Sequence, residues 1–206
     1  NKCTEAVQNA LMQAQSIATR RGQQQIDGEH LLAALLEPRD SLAALLIERA
    51  GVAVTSLRQA LERALDKLPR VSGAPGQVYM APRLNQLLTA AEAIAANLKD
   101  EFVSVEHILL ALADEGVATP ASRIFHELGL SRDKLLKAMS EVRGNQRVDN
   151  PNPEATYNVL EKYGVDLVEA ARKGKIVPVI GRDDEIRRVV QVLSRRTKNN
   201  PVLLGE

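Results

Sequence analysis

The chain has 206 residues, of which 26% are charged, and a net charge of +1. So balanced a surface carries no global field to draw it to nucleic acid or an anionic membrane, and 2% aromatics with no Trp leaves no stacking platforms for single strands. One cysteine, Cys3, excludes an internal disulfide and suits a reducing cytoplasm; with no secretory signal and no apolar run near 18 residues, a soluble cytoplasmic protein is expected.

Ala and Leu are abundant, which favours helices packed through aliphatic side chains. Val7, Ala10, Leu11, Ala14, Ile17 and Ala18 recur at i, i+3, i+4, i+7 spacing and predict a first amphipathic helix. Asp27 is a natural N-cap for a second, because its carboxylate can accept from orphan backbone amides. Gly51 follows a third, where a left-handed terminating residue is needed, and a fourth runs over 54–67. Residues 68–76, rich in Pro and Gly, form a connector.

The pattern then repeats. The string IDGEHLL at 26–32 recurs as VSVEHIL at 103–109, an offset of 77 that also pairs Val7 with Leu84, Leu11 with Leu88, Ala14 with Ala91 and Ile17 with Ile94. After a one-residue insertion the offset becomes 78, pairing Gly51 with Gly129, Leu57 with Leu135 and Ala60 with Ala138. Ser104 takes the N-cap place of Asp27, and the last helix runs over 131–143. Two copies of this length predict an all-α domain over 1–143, built of two tandem four-helix repeats with pseudo-twofold symmetry.

Each copy carries a Glu-His pair, Glu29-His30 and Glu106-His107. Adjacent helical residues point about 100° apart and no H-E-x-x-H spacing occurs, so no metal site is expected. The histidines read as structural, near first-turn amides or at the seam between halves. With no Ser-His-Asp or Cys-His constellation, the domain itself is expected to be no enzyme, and Cys3 a passive thiol.

From Gly144 the periodicity is lost. Residues 144–156 hold two prolines and several asparagines and read as a flexible linker of roughly 20 Å reach. Short helices are expected over 155–163 and 166–173, then an extended run into Gly181, a helix from an Asp183 N-cap to about Arg195, and a strand over 201–204. The basic Arg195-Arg196-Thr197-Lys198 run reads as a solvated helix end. The closing Gly205-Glu206 is how a phosphate-binding loop begins, so the chain is expected to stop inside that motif. The missing initiator Met suggests that its front is trimmed as well.

The strings LEKYGVDL (160–167), GKIVPVIGRDDEIRR (174–188) and RRTKNNPVLLGE (195–206) resemble the ClpB family of AAA+ protein disaggregases, at the entry to the first ATPase domain; Val177 departs from the aspartate usual there. The resemblance implies a Clp N-terminal domain, a linker and, over 157–206, the first helices and strand of an α/β AAA+ domain. It places Val179, Ile180 and Gly181 against the adenine of ATP and makes Gly205 the first phosphate-loop glycine, with ATP and Mg serving the full-length parent and none expected on this segment. It also implies unfolded or aggregated polypeptides as clients, met at a shallow groove between the two halves through a polar trio, Thr4, Asp100 and Glu106, with Leu88 as apolar contact. The plainer readings are that Thr4 caps the first helix and Glu106 steadies a helix N-terminus. The implied partners are the DnaK chaperone system and, in the full-length parent, a homo-hexamer, the segment alone being a monomer. A ClpC- or ClpA-type unfoldase that receives an adaptor and feeds a compartmental protease shares these motifs and is the alternative.

Overall fold

The repeated stripes become two 16-residue helices, α1 (Glu5–Arg20) and α5 (Pro82–Asn97). The computed structural model describes residues 2–38, 40–71, 78–144, 146–153, 171–172, 174, 181–195 and 199–202. Val7, Ala10, Ala14, Ile17 and Ala18 are buried on α1, and Leu84, Leu87, Ala91, Ile94 and Ala95 on α5. Between β1 (Gln25–Ile26) and β2 (Tyr79–Met80) the first half adds α2 (Gly28–Leu36), α3 (Leu42–Arg49) and α4 (Val54–Asp66); the second adds α6 (Val105–Asp114), α7 (Pro120–Glu127) and α8 (Arg132–Arg143). Helices α2 and α6 are buried almost all round, as helices at the centre of a domain must be. The third helices of both halves end at glycines in the left-handed region, Gly51 at φ 87° and Gly129 at φ 67°.

The halves interlock by exchange. Helix α2 packs on α7 as α6 packs on α3, and α4 packs on α7 as α8 packs on α3. Parallel pairing joins Gln25 to Tyr79 and Ile26 to Met80, while an isolated parallel bridge joins Cys3 to Val103. At the offset of 77 these are one interaction made twice, so each half supplies the strand its partner lacks. Sequence reading expects helix throughout each half and misses these pairings, because two extended residues leave no periodic signal.

The segment after α8 also departs from expectation. Val148 is fully buried, its carbonyl accepting from the amides of Glu101 (2.9 Å) and Phe102 (3.3 Å) while its own amide donates to Asp100 Oδ1 (2.9 Å). The Pro151 carbonyl accepts from the Glu5 amide at 2.8 Å. Residues 146–151, which composition assigns to a flexible linker, thus lie on the repeat domain as a strap. One valine and these four hydrogen bonds to the strap's backbone outweigh the polar composition around them.

The chain divides into two compact units, Asn1–Val159 and Leu160–Glu206. In the second, α9 (Asp183–Leu193) has Arg182, not the expected Asp183, at its N-cap position, without a side-chain capping bond, and Asp183 joins Asp184 and Glu185 in the acidic first turn. Its Ile186, Val190 and Leu193 form an exposed apolar stripe. The helix expected over 155–163 and most of that over 166–173 lie outside the described residues. Residues 199–202 carry no regular structure, and the rest of the expected strand, 203–204, lies outside the described residues.

Candidate functional site

Both Glu-His pairs sit at helix N-termini, and the histidines cap them. His30 Nδ1 accepts from the Asp27 amide at 3.0 Å and His107 Nδ1 from the Ser104 amide at 2.9 Å, the role a glutamate plays in a capping box. Each ring therefore carries its proton on Nε2 and donates it onward, His30 to Gln23 Oε1 at 2.8 Å and His107 to Asp100 Oδ2 at 3.0 Å. Burial pushes His30 down to about 4, and burial likewise lowers His107, so both are neutral at physiological pH.

Gln23 and Asp100 stand at equivalent positions, and the exchange of amide for carboxylate is what sets the second half apart. Gln23 needs only the Leu65 carbonyl, to which its Nε2 donates at 2.7 Å. Asp100 brings a charge into the interior, with its side chain inaccessible to solvent, and must be compensated. Arg143 supplies the cation, its guanidinium lying 2.7 Å from Asp100 Oδ1 and 3.3 Å from Glu106 Oε1, and it donates through Nε to the Gln146 carbonyl. The Val148 amide completes the shell.

The structure thus brings Asp100 and Glu106 into one buried cluster with His107 and Arg143. Thr4 lies at its border: fully buried, the N-cap of α1, with its amide donating to the Val103 carbonyl at 2.9 Å. Glu106 is 2% exposed, so no member of the trio presents a side chain to a solvent-borne ligand. Its Oε2 is buried without a hydrogen-bond partner among the described residues, as is that of the equivalent Glu29, whose Oε1 accepts from the Ala121 amide at the start of α7. Leu88 is half-buried on α5, packed against the core and apart from this cluster. Gly181 is exposed, with φ 72°, while Val179, Ile180 and Gly205 lie outside the described residues. Sequence reading misses Gln23, Arg143 and Val148. The Gln23–Asp100 pairing was open to it as a neutral residue matched to a charged one across the repeat.

A groove of about 640 Å³ lies between α1 and the α2–α3 region of the first half, lined by Ala6, Ala10, Leu35 and Leu42 and, from the second half, by Val105 of α6. Thr4 stands two residues before Ala6 and Glu106 directly follows Val105, so two of the buried polar residues adjoin groove-lining residues in the chain. Leu88 does not line it. Among the described residues no group of three or more His, Cys, Asp and Glu could hold a metal ion, and no helix is long and apolar enough to cross a membrane.

Residues 2–128 match the family described as the Clp repeat (R) N-terminal domain. The chain belongs to this family. Its Clp domain and the segment after it are 54% identical over 208 residues to chaperone protein ClpB of Nitratidesulfovibrio vulgaris and 48% identical over 209 residues to that of Bacillus cereus, in each case across 100% of this chain. The chain spans about a quarter of the length of these curated relatives, 24% of each. Among solved structures, the Clp fold here resembles the Hsp104 N-terminal domain of Candida albicans at 28% identity and TM-score 0.63, over 75% of this chain and 99% of that one. It also resembles the N-terminal domain of the ClpV1 ATPase of E. coli at 26% identity and TM-score 0.60, over 73% and 91% of the two chains.

Proposed function

We propose that this chain is the client-engaging front of an ATP-dependent ClpB-type chaperone that disaggregates and unfolds damaged proteins in the cytoplasm, working as a homo-hexamer with the DnaK system. Identity to ClpB chaperones across the whole chain carries the reading, covering the segment beyond the repeat domain as well as the domain itself. Unfolded polypeptide meets this apolar groove, and Leu88 offers a second apolar contact on α5. Thr4, Asp100 and Glu106 contribute to client handling through what they hold in place. ATP and Mg serve the longer protein, with Val179, Ile180 and Gly181 at the base and Gly205 opening the phosphate loop.

The test is a graft. A ClpB whose corresponding region is replaced by this chain should reactivate heat-aggregated luciferase with ATP and a DnaK system, well above the same motor lacking the region. Reactivation no better than that of the lacking motor would contradict the reading, and gain of degradation with a partner protease instead would favour a protease-coupled unfoldase.

A further inference from the structure

The groove and the chain that leaves the domain share one set of contacts. Helix α1 forms one wall, and its first turn presents amides that have no partner within the helix. One of these, that of Glu5, is satisfied by the Pro151 carbonyl at 2.8 Å, from the far end of the strap. The strap is seated in turn by the fully buried Val148 side chain, by the Val148 amide on Asp100 Oδ1, and by Arg143, which grips both acids and the Gln146 carbonyl. Val103, just before the α6 wall, donates its amide to the Lys2 carbonyl at 2.6 Å and accepts from Thr4 at 2.9 Å, closing the circuit at the foot of α1.

We propose that residues 146–151 are a releasable strap that regulates the groove. Seated, the strap caps α1 and fixes the α1 wall; lifted, it frees the start of α1 and lengthens the tether to whatever follows. Asp100, Glu106 and Arg143 are then positioning residues that set where the chain departs. This regulatory role rests on the client-binding reading given above; the strap's hold on α1 does not.

Amide exchange on the whole chain separates the two. In the wild type the amides of Glu5, Glu101 and Val148 should exchange at least tenfold more slowly than free chain, and trypsin should cut slowly at the exposed Arg147. Val148→Ser leaves the charged cluster intact and should raise exchange at least tenfold at Glu101, Val148 and, across the strap, at Glu5, with the amides of α2 and α6 unchanged. Arg143→Gln should raise exchange at the same three amides and speed cleavage at Arg147, but it also strips the cation from Glu106 on α6, so in this variant α2 alone is the control. A Val148 amide already at free-chain rate in the wild type would overturn the strap. So would loosening of Glu101 and Val148 without Glu5, or equal loosening of α2 and α6 in the Val148→Ser protein. Affinity for a permanently unfolded client should fall three- to tenfold in the Val148→Ser protein. Release of α1 with unchanged affinity would overturn the regulation, whereas no binding even by the wild type would count against the client-binding reading, the exchange results still judging the strap.

Discussion

His30 and His107 tie stability to pH. Burial lowers both, so at these two rings the folded chain binds fewer protons than the unfolded one below about pH 6.5. Their contribution is present above the unfolded value and lost as pH falls toward the folded one, about 4 for His30. Between pH 6.5 and pH 5, where unfolded carboxyls remain mostly ionised, His30 alone should cost about 1–2 kcal/mol. Burial raises Glu29 and Glu115 and works the other way, so the measure is the difference in urea midpoint between the wild type and His30→Gln across that window, and a difference that does not change with pH would contradict neutral burial. The Asp100 carboxylate carries a larger penalty if removed: Asp100→Ala takes one of two carboxylates from the buried Arg143 and the acceptor from the His107 ring and the Val148 amide, at a cost of roughly 3–5 kcal/mol, so its melting point should drop well below the wild type's. Lys99 runs the other way. It holds φ 61° where the equivalent residue of the first half is Gly22 at φ 67°, and a side chain there costs about 1 kcal/mol. Lys99→Gly should raise stability by about that much in denaturant titrations; no gain would mean that the lysine side chain repays the strain.

The exchange of elements makes the two halves one folding unit. Strand β1 has its partner in the second half, Val103 has its partner in the first, and α2 buries itself partly on α7. Residues 1–71 alone should therefore show little helix by circular dichroism, and native-like helix content in that piece would contradict the interlock. Gly28 offers a gain at the seam. A Cβ there would meet Leu87 and Leu112 at 3.7 Å, ordinary contact, so Gly28→Ala should stabilise by about 0.4–1 kcal/mol. The first helix of each half was legible from its 3.6 period, the others from N-cap and terminating-glycine residues, and the duplication let one half predict the other. The strand pairs were too short to register, and the cap of α9 shifted by one residue within a run of acids. The strap was hidden because composition scores Val148 among prolines and asparagines as linker, while its seat is formed by Asp100 and Phe102, over forty residues away. The trio's members are named from resemblance alone, and what the fold adds is that they face inward, which no local pattern announces.

At the scale of the whole molecule, the groove is where the fold and the proposed activity meet. Its walls come from α1 and the α2–α3 region of the first half, with Val105 of α6 as the contact from the second, and Val105 is followed directly by Glu106 of the buried polar cluster. The measurement that bears most directly on this account is a titration of the ¹⁵N-labelled chain with a permanently unfolded polypeptide, followed amide by amide. Saturable shifts should centre on Ala6, Ala10, Leu35, Leu42 and Val105, with no effect from the same polypeptide when natively folded. Absence of saturable shifts, or shifts of equal size spread over the whole surface, would contradict the claim that the groove receives unfolded clients.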